Sequence, residues 1–117
     1  MRILNRTKQT IVAEQVRRAV TFGEKLVGLM HRKEVRPLLM KTRFGIHTYG
    51  MRFPIDVIVF NREGVVTMVQ EEVRPRSFIF WKPNAMYVLE LPQGYVRASR
   101  TALGDELAVI EEEGMVG

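Results

Sequence analysis

The sequence predicts a single α+β domain, mostly antiparallel β in a barrel-like arrangement, with one or two short helices. Three observations lead there. A chain of 117 residues can build one core and little more, so residues 1–117 read as one domain. The apolar residues come in short β-type runs bounded by turn residues, above all 53–60 and 65–73 on either side of "NREG". Helix signals are confined to two short stretches, one opening at Thr21 and one near Gly94.

The elements follow in chain order. After a short N-terminal strand, "RTKQTIVAEQVRRA" has strand periodicity, with Ile11, Ala13, Gln15 and Arg17 on one face and Val12, Glu14 and Val16 on the other. The period then changes in "TFGEKLVGLMHRK". Thr21 and Glu24 form a capping box, Phe22, Leu26, Leu29 and Met30 recur at helical spacing, and His31, Arg32 and Lys33 close the helix with cations. Pro37 forbids more helix, and "LLM" at 38–40 reads as a short buried strand.

Residues 53–60 are apolar on both faces, which marks a central strand, whereas 65–73 end in "QEEV" and belong nearer solvent. Gly64 supplies the positive φ their hairpin turn needs. "RPRSFIFWKPN" reads as a proline-punctuated loop carrying Phe78, Phe80 and Trp81. "AMYVLELPQG", 85–94, is a second buried strand. "GYVRASRTALGDEL" reads as a short helix ending at Gly104, with Asp105 capping backbone N–H groups, and "ELAVIE" as the last strand.

Composition narrows the chemistry. A hydrophobic fraction of 46% with 26% charged residues excludes disordered and fibrous classes. The absence of cysteine removes disulfides, thiolate nucleophiles and Cys-ligated metal sites. No metal-spaced histidine pair and no glycine-rich phosphate loop stands out, so neither a metal nor a cofactor is expected. The N-terminus lacks the apolar core of a leader and no run approaches the length of a membrane span, so a cytoplasmic, membrane-free protein is expected. The net charge of +5 is concentrated in the middle: Lys25, Arg32, Lys33, Arg36, Lys41, Arg43 and Arg52 face only Glu24 and Glu34 there.

Two acids stand where acids are costly. Asp56 interrupts the run "PIDVIVF" on the face of Ile58 and Phe60, and Glu90 interrupts "YVLEL" on the face of Met86 and Val88. Each needs a partner or a cleft. Asp56 either accepts backbone N–H bonds or a buried Arg, or it lines a ligand pocket with His47, Arg52 and Glu90, to which Arg43 and Trp81 add a cation and a stacking ring. The leading functional expectation is a binding module for an anionic or polar small molecule. The alternative is nucleic-acid binding through the basic 25–52 region, with Trp81 or Phe80 as a stacking platform. A third reading is an enzyme with His47 as general acid or base and Asp56 as its orienter, although no reaction class is indicated and no residue is assigned as catalytic. His31, beside Arg32 and Lys33, reads as a solvated helix end.

The ordered set "GLMHR" at 28–32, "HTYGMRFPIDVIVF" at 47–60, "YVLELPQG" at 87–94 and "LGDEL" at 103–107 resembles the domain of unknown function 192 family over some four-fifths of the chain. The resemblance implies a compact strand-rich domain and no established activity. The family's Pro-hydrophobic-Asp element falls on Pro54, Ile55 and Asp56, its Leu-Glu-Leu-Pro element on Leu89, Glu90, Leu91 and Pro92, and its Gly-Asp turn on Gly104 and Asp105.

Overall fold

The fold is built around two neighbouring antiparallel strands. The computed structural model describes residues 1–18, 36–41, 45–47, 52–80 and 87–111. Its strands are β1 (Arg2–Asn5), β2 (Thr10–Ala13), β3 (Arg17–Arg18), β4 (Leu38–Lys41), β5 (Gly45–His47), β6 (Ile55–Phe60), β7 (Val66–Val73), β8 (Phe78–Phe80), β9 (Tyr87–Pro92) and β10 (Leu107–Ile110), and its helix is α1 (Tyr95–Ser99). Strand β6, buried at every position, pairs with β9 on one side and β7 on the other in a five-stranded sheet ordered β3-β4-β9-β6-β7. A run apolar on both faces demands cover on both, and β6 receives it.

Each face of that sheet packs its own core. On the first face Leu39, Ile58, Phe60, Leu89 and Leu91 meet Ile3, Val12, Ala13, Val96 and Leu107, contributed by a three-stranded sheet ordered β10-β1-β2 and by α1. On the second face Leu38, Met40, Ile55, Val57, Val59, Val73 and Val88 pack with Ile79 of β8, which pairs with β5 as a two-stranded ribbon. The result is an α+β domain of mostly antiparallel strands, with β3 beside β4 as a parallel pair. Among the described residues the sheets stay open rather than closing into the expected barrel, because the two cores lie on opposite faces of one central sheet.

Most expected strands stand where the pattern put them, including the hairpin β6–β7 with Gly64 at φ 85°. Three local readings are corrected. The stretch 6–19 is not one strand: the register with β1 shifts between Ile3 and Leu4, leaving Val12 as the extra residue of a bulge in β2 that turns both Val12 and Ala13 inward, and Gln15, at φ 53°, breaks the chain before β3. The loop at 74–84 contains strand β8, whose Phe78, Ile79 and Phe80 lie in register with His47, Ile46 and Gly45. The second helix ends at Ser99 rather than Gly104, because Arg100 turns left-handed at φ 56° and its N–H bonds back to Arg97. The expected helix from Thr21 lies outside the described residues.

Candidate functional site

The two intrusive acids occupy adjacent strands but different worlds. In the β6–β9 register Asp56 lies opposite Leu91 and Val57 opposite Glu90, so Asp56 belongs to the first face and Glu90 to the second. Both are sealed, at 0% and 1% exposure. They cannot line one pocket.

Asp56 is held by backbone donors. Its Oδ1 accepts the N–H of Glu72 at 3.0 Å, and its Oδ2 accepts those of Gly94 and Val96, each at 3.0 Å. The sequence builds this on both sides. Opposite Asp56, the β6–β7 register slips between Ile55 and Val57, and in the resulting bulge Glu72 adopts φ 52°, turning its N–H toward the carboxylate. From β9 the chain passes Pro92 and Gln93 to Gly94, at φ 97°, and enters α1, whose first N–H groups have no partner within the helix. Gly94 has no side chain to cap them, so the carboxylate from the neighbouring strand does so.

The far end of α1 is held by a second polar cluster. Ser99 and Thr101 share a 2.7 Å hydroxyl contact, Thr10 donates to the Ser99 carbonyl at 2.7 Å, and the Asn5 side chain donates to Thr101 and Asp105 at 3.1 and 2.9 Å. Lys8 reaches both oxygens of Asp105, at 3.0 and 2.8 Å, and the Ala102 N–H donates to the same carboxylate. Burial pushes the Asp105 carboxyl up, but the Asn5 amide, the Lys8 ammonium and the Ala102 N–H outweigh it and hold the group below its ordinary value. Asp105 thus caps its turn as its sequence position implied, and also closes a network reaching back to β1.

Between the two anchors, α1 packs against β2 and leaves a groove of about 620 Å³. Arg2, Glu14 and Gln15 give it polar lining, while Ile11, Tyr95 and Ala98 give it an apolar wall. Ile11 and Tyr95 are large and partly open to solvent, at 51% and 37% exposure. Gln15 sits in the left-handed region without being glycine, a conformation that costs about 1 kcal/mol and recurs at binding sites. Sequence periodicity points to none of these residues, because an edge strand with a bulge loses the alternation that would reveal its open side.

Of the other residues expected at a site, Arg52 is exposed in the bend before β6, and His47 lies in β5 in register with Phe78. Arg43 and Trp81 lie outside the described residues, as does most of the basic 25–52 region. Among the described residues no three His, Asp or Glu side chains gather as metal ligands, and no helix is long and apolar enough to cross a membrane.

Comparison with known proteins places this architecture. The chain is 33% identical over 111 residues to a UPF0127 protein of Pyrococcus furiosus, covering 90% of this chain and 95% of that one. It is 31% identical over 119 residues to a UPF0127 protein of Thermococcus sibiricus, covering 95% and 77%. Among solved structures it superposes on a candidate transcription regulator of Sinorhizobium meliloti with a TM-score of 0.77 and 22% identity, covering 92% and 89% of the two chains. It also superposes on a protein of unknown function from Novosphingobium aromaticivorans with a TM-score of 0.75 and 17% identity, covering 93% and 84%. At those identities the likeness shows the fold. The model of the DUF192 family, described as "Uncharacterized ACR", matches residues 3–109, which carry both acid-bearing motifs and both anchors of α1, and the chain belongs to that family.

Proposed function

We propose that the protein is a binding module for a small polar molecule and that the groove between β2 and α1 is its site. The observation that supports this reading is the groove itself. Its volume of about 620 Å³ lies within the range of roughly 300–1,000 Å³ that small-molecule sites occupy, and its lining sets a few polar groups beside an apolar wall. The helix on one side is fixed at both ends by hydrogen bonds, a buried one at Val96 and a part-buried one at Ser99, so the wall is preformed. The expected pocket around His47, Arg52 and Asp56 draws less support, because the Asp56 carboxylate already holds three N–H donors out of reach of solvent.

Ligand-observed NMR against a panel of polar metabolites tests the proposal. A binder lost in Tyr95→Ala and retained in Arg52→Ala supports the groove. The opposite pattern moves the site to the His47–Arg52 side, and a panel without a binder refutes a binding module for such molecules.

Nucleic-acid binding is the second reading, favoured by the net charge of +5 and a sequence pI near 10.0. A fluorescence titration with single-stranded oligonucleotide at two salt concentrations checks it. Counterion release makes true phosphate binding fall steeply with salt, so an affinity indifferent to salt removes this reading.

A further inference from the structure

We infer that the ligand of the groove is a short extended peptide, added to the edge of β2 as one more strand; this rests on the groove being the binding site. Strand β2 ends its sheet, ordered β10-β1-β2, and five consecutive residues, Ile11 to Gln15, border the groove. Alternate side chains of a strand point to opposite faces, so a border this continuous follows the strand's edge, where main chain is on offer.

The pairing of β1 tells which main-chain groups point there. The Val16 N–H donates to the Met1 carbonyl at 2.8 Å, and the Met1 ammonium donates to the Val16 carbonyl at 3.3 Å. Met1 therefore faces β2. The Arg6 N–H donates to the Glu106 carbonyl, so Arg6 faces the β10 side. Between them β1 keeps an unbroken register with β10, and main-chain direction alternates: Ile3 and Asn5 face β2, Arg2 and Leu4 face β10. Ile11 is the β2 partner of Leu4. Opposite residues of an antiparallel pair exchange both bonds or neither, so the Ile11 N–H and C=O point away from β1, toward the groove. Among the described residues no hydrogen bond takes either group.

A donor and an acceptor side by side on an open edge are what an incoming strand pairs with. Ile11 and Tyr95, both partly open to solvent, flank the place with apolar surface that suits an aliphatic side chain on that strand. The bulge at Val12 and left-handed Gln15 leave no long straight edge, which a second folded copy would need and a flexible peptide does not. Each copy also carries +5, which opposes self-association.

Heteronuclear NMR titration of the full chain with acetyl-Thr-Leu-Thr-Val-amide, and with versions N-methylated at one amide at a time, tests the inference. N-methylation should weaken binding roughly five- to tenfold at alternate amides and much less at those between, because every second N–H of an added strand faces β2. Ile11→Pro removes the outward N–H and leaves the β1 ladder intact, so it should weaken the parent peptide by the same factor; Ile11→Val keeps the N–H and should retain binding. Circular dichroism confirms the fold of both variants, and the methylated series decides alone if Ile11→Pro does not fold. Equal effects at every amide, or none, overturn the inference. So does a dimer in sedimentation that Ile11→Pro dissociates, because a second copy then covers the edge. Absence of peptide binding while another polar metabolite binds in a Tyr95-dependent manner overturns the ligand class and leaves the groove standing. Absence of any binder removes both.

Discussion

Replacing Asp56 with alanine should destabilise the protein by about 3–4 kcal/mol, a large part of the roughly 5–15 kcal/mol that holds a domain of this size together. The figure follows from the three N–H groups left behind. Val96 is buried, so its N–H would lose its partner where water cannot replace it, at about 2 kcal/mol. Glu72 and Gly94 are exposed residues whose N–H groups can turn to water, so each should cost nearer 0.5–1 kcal/mol. Asp56→Asn is the finer probe. Its amide oxygen can keep the Gly94 and Val96 bonds, but its NH₂ then faces the Glu72 N–H, donor against donor, and a loss of about 2 kcal/mol is expected. At about 4 °C per kcal/mol for a domain near this length, thermal melting should fall by about 8 °C for Asn and about 12–16 °C for Ala. A shift under about 2 °C for the alanine variant would refute the view that this carboxylate is a structural clamp.

Asp105 should make stability sensitive to acid. Its carboxyl is depressed in the folded state, so the stability it contributes is fully present above the ordinary value of 3.8 and drains away as pH falls through the lower folded value. Urea midpoints of wild type should therefore decline below about pH 4, and Asp105→Asn, less stable at pH 6, should show a shallower acid limb. Gly64→Ala should cost about 2–4 kcal/mol in urea unfolding, because the position is held at φ 85° and an added Cβ would strike the Leu107 carbonyl. Glu111→Gln, by contrast, should leave the midpoint within about 0.5 kcal/mol: its 2.7 Å pair with Arg18 is more than half exposed on both sides.

What the sequence revealed divides along a physical line. Strands β6 and β9 were legible because a short run that is apolar on both faces must be covered on both, which only a central strand achieves, and Asp56 and Glu90 stood out because a carboxylate in such a run is expensive. The assignment of those two acids to particular faces followed from strand alternation and is matched by the β6–β9 register. Where local conformation departs from regular periods, the pattern gave no guidance. The bulge at Val12 turned two consecutive residues inward, left-handed Gln15 and Arg100 ended elements that periodicity would have extended, and the three residues of β8 are too short to show a period. The Asn5–Lys8–Asp105 network was illegible for a different cause: its members are about a hundred residues apart in the chain, and only the β1–β10 pairing brings them together.

Those features converge on one small object. A helix of five residues has almost no stability of its own, since nucleation alone defeats isolated helices several times longer. Something else must set where α1 lies, and Val96 is its one apolar residue in the core. The deficit is met by polar anchors. Asp56 takes two N–H groups at the helix entrance, Thr10 takes a carbonyl at its exit, and the Ser99–Thr101 pair links that exit through Asn5 to Asp105. Two segments of this chain, Pro54-Ile55-Asp56 and the Gly104-Asp105 turn, thereby supply carboxylates to opposite ends of the same helix, while the strand Leu89-Glu90-Leu91-Pro92 delivers the chain to Gly94 where it begins. A core alone could have been filled by aliphatic residues at lower cost than buried acids. What directional bonds add is a fixed position, and the surface that this position sets is Tyr95 and Ala98 across from Ile11 to Gln15. On that reasoning the buried carboxylates shape the groove by holding its wall from behind, Asp56 through the helix entrance and Asp105 through its exit.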